Sequence, residues 1–152
     1  MKTQRGFGLF HVILIIVIAV IGGITWKSHL KQQAEVAAKA AIEKERAEIK
    51  KSLDDLKGLF DKWGDAEKLA SSAPRIALAT PVASLQEIKR QTAALKIAPC
   101  LEKAKAALVE GMSFRIDAYV SFMQQHSLVD EMAASSARFD EFTALMLVCK
   151  EK

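Results

Sequence analysis

Residues 34–63 read AEVAAKAAIEKERAEIKKSLDDLKGLFDKW, and the way this stretch packs decides the fold. It contains no proline and is built mostly from alanine and straight-chain residues, which lose little side-chain freedom in a helix. Ile42, Ile49, Leu56 and Trp63 recur at intervals of seven, and Leu53 and Phe60 sit four residues after two of them. At helical pitch these positions fall on one face and form an apolar stripe. Opposite charges at helical spacing, Glu43 with Lys39 and Glu48 with Lys51, add local support. The spacing predicts one long helix, weakest at Gly58 or Gly64. The stripe has two readings: coiled-coil pairing with a partner, or packing against the chain's own later helices. Internal packing is preferred, because the repeat spans only about three heptads and the residues before Ile42 are mostly alanine.

Toward the N-terminus the composition changes. Residues 5–23 read RGFGLFHVILIIVIAVIGG, and from Phe7 to Trp26 the only ionisable residue is His11. About 20 apolar residues rising about 1.5 Å each match a hydrocarbon core of roughly 30 Å, so 7–26 is expected to cross a bilayer once. Trp26 and Lys27 stand at the exit, where an aromatic ring and a cation favour the headgroup level. A cleavable secretory signal fits less well, since VIGGITWKS offers glycines and then returns to Ile and Trp. Charge does not decide orientation, with Lys2 and Arg5 before the span and Lys27, Lys31 and Lys39 after it. His11 lies about 6 Å inside the apolar boundary by helical rise, near enough to reach the interface. Ala19 and Gly23 form one small-xxx-small pair, a weak hint of helix association.

The basic start, Gly6-Phe7, Leu9 and the apolar helix that follows resemble the leader of type IV pilins and type II secretion pseudopilins. The resemblance covers roughly the first 25 residues. It implies cleavage after Gly6 by a prepilin peptidase and methylation of Phe7 as the new N-terminus. Two positions depart from the family. Gly8 stands where Ser or Thr is usual, and His11 stands where the family places a glutamate. In the family that glutamate neutralises the amino terminus of a neighbouring subunit, and a histidine offers no anion for the purpose. The histidine argues against a bulk filament subunit and leaves room for a minor, tip-located one, a class in which that glutamate can be absent. It also implies an antiparallel sheet after the first helix, whereas the residues after Trp63 are alanine-rich and helix-periodic.

Beyond the long helix, SSAPRIALATP at 71–81 breaks the pattern with Pro74 and Pro81, and IALA is the one candidate for a short strand. Thr80 reads as an N-cap with Pro81 in the first helical position. Val82, Leu85, Ile88, Thr92 and Leu95 follow at helical spacing, and Pro99 opens the next helix. That helix carries Leu101, Ala104, Leu108, Met112, Tyr119, Phe122 and Met123 on its apolar face. Ser127 with Asp130 resembles a capping box for a last helix whose inner face holds Met132, Phe139, Phe142, Leu145 and Met146.

Cys100 opens one helix of this hairpin and Cys149 closes the other, so an antiparallel pair brings both to the same end. Their distances from the turn differ by about four residues, roughly 6 Å along the axis. In an oxidising compartment the pair forms a disulfide; in the cytosol it remains two buried thiols. A bridge favours an N-terminus inside and a domain outside.

The net charge of +4 is spread over interleaved Lys/Arg and Asp/Glu, a solvated helix pattern and not a nucleic-acid surface. His11, His29 and His126 are isolated, no Gly-rich phosphate loop occurs, and Asp54, Asp55, Asp61, Asp65 and Glu67 alternate with lysines. No enzymatic activity, cofactor, metal or small-molecule substrate is expected. The expected fold is all-α: a leader at 1–6, a transmembrane helix at 7–26, an amphipathic stalk helix at 27–70, and a small bundle at 71–152 made of a helical hairpin plus one helix. The expected function is structural: a bitopic bacterial inner-membrane protein whose periplasmic domain holds or scaffolds a protein partner, or associates with itself. The alternatives are a divergent minor pilin-like subunit and a cytosolic adaptor with free thiols.

Overall fold

The computed structural model describes residues 6–150, and their side chains from residue 32 onward. It is all-helical, with no strand among the described residues. Helix α1 spans Gly6–Ser72, α2 Ala79–Ala94, α3 Glu102–Met123 and α4 Val129–Lys150, with 3-10 turns at Arg75–Ala77 and Pro99–Leu101. Two compact units divide at Lys44 and Glu45, inside α1. In the first, every described side chain is exposed. The expected span at 7–26 lies outside the residues with described side chains; among the described residues no helix is long and apolar enough to cross a membrane.

The second unit, Glu45–Lys152, contains the core. Leu56, Trp63 and Ala70 of α1 meet Val82 and Leu85 of α2, Leu101, Leu108, Met112 and Ile116 from the 3-10 turn and α3, and Phe142 of α4. The compact unit thus takes in the second half of the expected stalk, because that half supplies core side chains. Gly58 and Gly64 do not interrupt α1. Phe60 packs against Phe139 and Phe142 with ring centroids 5.7 and 5.4 Å apart, and Trp63 lies 6.4 Å from Phe139. Such tilted and edge-on arrangements suit the ring quadrupoles.

Local chemistry sets the helix ends. Ser71 and Ser72 donate their hydroxyls back to the carbonyls of Lys68 and Leu69, and extended Pro74 cannot continue α1. The IALA segment makes no strand; it contributes to the turn at Arg75–Ala77 and the start of α2. Helix α2 begins at Ala79 with Leu78 at the cap, so Thr80 is not the N-cap and Pro81 falls later in the first turn, where its missing N–H is still no loss. At the far end of α2, Lys105 donates to the carbonyl of Leu95 at 3.1 Å, satisfying a terminal acceptor.

The α3–α4 turn closes by paired bonds. Gln125 N–H donates to Phe122 O at 3.2 Å and His126 N–H to Ser121 O at 2.9 Å, with Gln125 at φ 64°. This is a Schellman closure with glutamine in the left-handed position that glycine usually takes. Helix α4 then begins at Val129, where the Met132 N–H donates to Leu128 O, one residue later than a start capped by Ser127. Asp130 and Glu131 lie in its first turn and Lys150 in its last, each favourable to the helix dipole.

Helices α3 and α4 approach closely at Gly111. A Cβ built there would stand 2.8 Å from two ring carbons of Phe139. Hydrogen, and no larger group, fits between helix and ring.

Candidate functional site

The expected stripe on α1 divides between two environments. Leu56 and Trp63 are in the core, and Ile49, Leu53 and Phe60 pack against it, while Ile42 is 51% exposed. Leu56 and Trp63 are therefore covered by the chain's own helices and Phe60 packs against Phe139 and Phe142, while Ile49 and Leu53 remain half-buried at the edge of that contact. A large aromatic and a leucine left on the surface would forfeit a few kcal/mol of burial, about 1.5–3 kcal/mol for each such side chain.

Cys100 and Cys149 form a disulfide with their Cα atoms 5.7 Å apart, within the usual range for a bridge. Cys100 sits in the 3-10 turn Pro99–Leu101, before α3 begins at Glu102. The neighbouring Ala98 N–H is buried and donates to Ser52 Oγ at 2.9 Å, and Ser52 donates in turn to Glu48 O at 2.8 Å. The bridged end is thus tied to α1 as well as to α4.

Beside the bridge, α1 and α4 border a groove of about 600 Å³. Its apolar lining is Ile49, Leu53, Met146 and Cys149. Its rim carries Arg46, Lys50, Lys57 and Lys150 against one carboxylate, Asp54. All five rim side chains are exposed. None of Arg46, Lys50 and Lys57 forms an ion pair within the described residues. The stripe signalled Ile49 and Leu53, but not the rim. Its spacing on α1, at 46, 50 and 57, was the available signal, hidden among many interleaved charges.

A second polar cluster sits inside the bundle. Arg115 pairs with Glu67 at 2.9 Å, with both side chains largely buried. Trp63 Nε1 donates to the other Glu67 oxygen at 3.2 Å, Arg115 Nε donates to Ser135 Oγ at 3.1 Å, and Ser135 donates to Gly111 O at 2.9 Å. Burial pushes the nearby Tyr119 phenol above its ordinary value; Glu67's charge adds to the rise and Arg115 opposes it. Glu67, Arg115 and Ser135 each have a partner in this network, which is what a buried pair needs to be tolerated. The cluster joins α1, α3 and α4.

Gly6 and Phe7, the expected cleavage and methylation positions, lie outside the residues with described side chains, as do His11 and His29. His126 is exposed in the α3–α4 turn. Among the described residues no three His, Cys, Asp or Glu side chains gather as metal ligands. The chain matches no protein-family model, no curated protein and no solved structure.

Proposed function

We propose that this is a bitopic protein of the bacterial inner membrane whose helical unit is exported and holds or scaffolds a protein partner at the envelope. The observation that carries the reading is the bridge between Cys100 and Cys149 in a unit that follows a single apolar run at 7–26. Disulfides persist in oxidising compartments and are rare in the cytosol. One apolar run of bilayer length supplies the anchor. Adjacent helices and a satisfied interior leave the surface as the working part.

A second reading is favoured by Gly6, Phe7 and Leu9: a divergent minor pilin-like subunit handled by prepilin peptidase. The all-helical unit supports the first reading, since the pilin resemblance implies a sheet after the first helix. Both readings are tested on the native membrane fraction. Alkaline carbonate washing should leave the chain in the membrane pellet, and its release would overturn the anchor. Intact mass then separates the two. A full-length chain supports the simple anchor; loss of residues 1–6 with gain of one methyl group supports the pilin-like reading.

A further inference from the structure

We propose that the groove between α1 and α4 beside the disulfide docks an acidic amphipathic helix of a partner protein. The proposal deepens the scaffold reading by naming the chemistry of the partner. Ile49, Leu53 and Met146 provide an apolar seat, and Arg46, Lys50, Lys57 and Lys150 outnumber Asp54 along its rim. A cationic rim around an apolar seat selects an occupant with an apolar face flanked by carboxylates.

The distribution of the cations separates a protein segment from a lipid. Arg46 and Lys57, with Lys50 between them, lie 11 positions apart on one helix, about 16 Å along its axis. An anionic lipid concentrates its charge in one headgroup and would meet one of these cations well. A helix of three turns carries carboxylates along about the same 16 Å, and its apolar i, i+3, i+4 and i+7 side chains reach the seat between them. Nucleic acid suits the charge but not the apolar seat, which has no aromatic side chain for a base to stack on. The bridge has a part in this geometry: Cys149 lines the groove and is tied to the turn at Pro99–Leu101, fixing the last turn of α4 as one wall.

The test uses the full chain held in an amphipathic polymer, free of detergent micelles that would dissolve a vesicle, and three probes. One is a labelled 14-residue peptide with leucines on one face and glutamates on its flanks. The second has lysine for every glutamate. The third is a vesicle of phosphatidylcholine with phosphatidylglycerol. Fluorescence anisotropy should show saturable binding of the glutamate peptide, none of the lysine peptide, and weakening as salt rises. Joint reversal by R46E, K50E and K57E should weaken the glutamate peptide at least about tenfold, as rim attractions become repulsions. Neutralisation by K50Q and K57Q should weaken it less and serves as the second variant if the reversal disturbs folding. Equal binding of both peptides, or binding indifferent to both variants, overturns the proposal. So does dependence on these cations for vesicle capture without peptide binding. Because the assay does not depend on compartment, its failure leaves the anchor and export readings standing, and their failure leaves the groove standing.

Discussion

Helix α1 contains two stretches in different circumstances: 32–44 is alanine-rich with no leucine or aromatic residue, and 45–72 carries four leucines, Phe60 and Trp63. From 32 to 44 every side chain is exposed, including Val36 at 63% and Ile42 at 51%. From 45 to 72 the same helix places Ser52, Leu56, Trp63 and Ala70 in the interior of the second unit. Both stretches are rich in strong helix formers, and the apolar repeat begins at Ile42, in the exposed stretch. Intrinsic propensity differs among such residues by only a few tenths of a kcal/mol per position, whereas burying a large apolar side chain is worth about 1.5–3 kcal/mol. The heptad pattern marks which face of α1 is apolar; where the later helices lie decides how far along that face is covered.

The strongest way to break this contrast is to remove the covered stretch's largest side chain. Trp63→Ala should destabilise the full chain by about 3–5 kcal/mol in denaturant unfolding, since the indole is 1% exposed and its loss leaves a cavity. Replacing both Cys100 and Cys149 by serine should cost about 2–4 kcal/mol in the same assay, through loop closure over a separation of 49 residues. Gly111→Ala should cost about 1–3 kcal/mol, because the added methyl meets the Phe139 ring and forces the helices apart. Ile42→Ala should change stability by no more than about 0.5 kcal/mol, as an exposed position away from the core. A large effect at Ile42, or a small one at Trp63, would erase the distinction between the two stretches.

Much of the fold was legible because it rests on periodicity. The apolar positions named for the three later helices supply part of the core, with Val82, Leu85, Leu101, Ala104, Leu108, Met112 and Phe142 buried, whereas Leu78 and Ile116 are buried and were not named. The cysteine pairing followed from helix lengths either side of one tight turn, and the structure pairs the two, with Cys100 in a 3-10 turn ahead of α3. Turn chemistry was less legible. Thr80 carries the right side chain for a cap, but Leu78 holds that position and the α2 cap makes no side-chain hydrogen bond. Gln125 gives no sign of a left-handed residue, because glycine or asparagine is the usual marker.

The polar interior and the groove were hidden for a different reason. Glu67 and Arg115 lie 48 positions apart in sequence, and each resembles an ordinary surface charge until three helices converge on them. Gly111 gives the same lesson: a glycine inside a helical pattern reads as a weak point, and here it is the place where α3 admits an aromatic ring. In the groove, Ile49 and Leu53 were marked by the stripe, but the wall formed by Met146, Cys149 and Lys150 comes from the other end of the chain. Local sequence carries periodicity well and long-range pairing poorly, so the core face emerges and the surface it builds does not.

The proposed export of a bridged helical unit behind a membrane anchor is tested most directly by the redox state of its two cysteines in living cells. Intact cells would be quenched in acid, and the denatured chain treated with a mass-tagged maleimide before and after reduction. An exported, bridged chain should take no label without reductant and two labels with it. Two labels without reductant would mean that the thiols are free in the cell, contradicting export to an oxidising compartment.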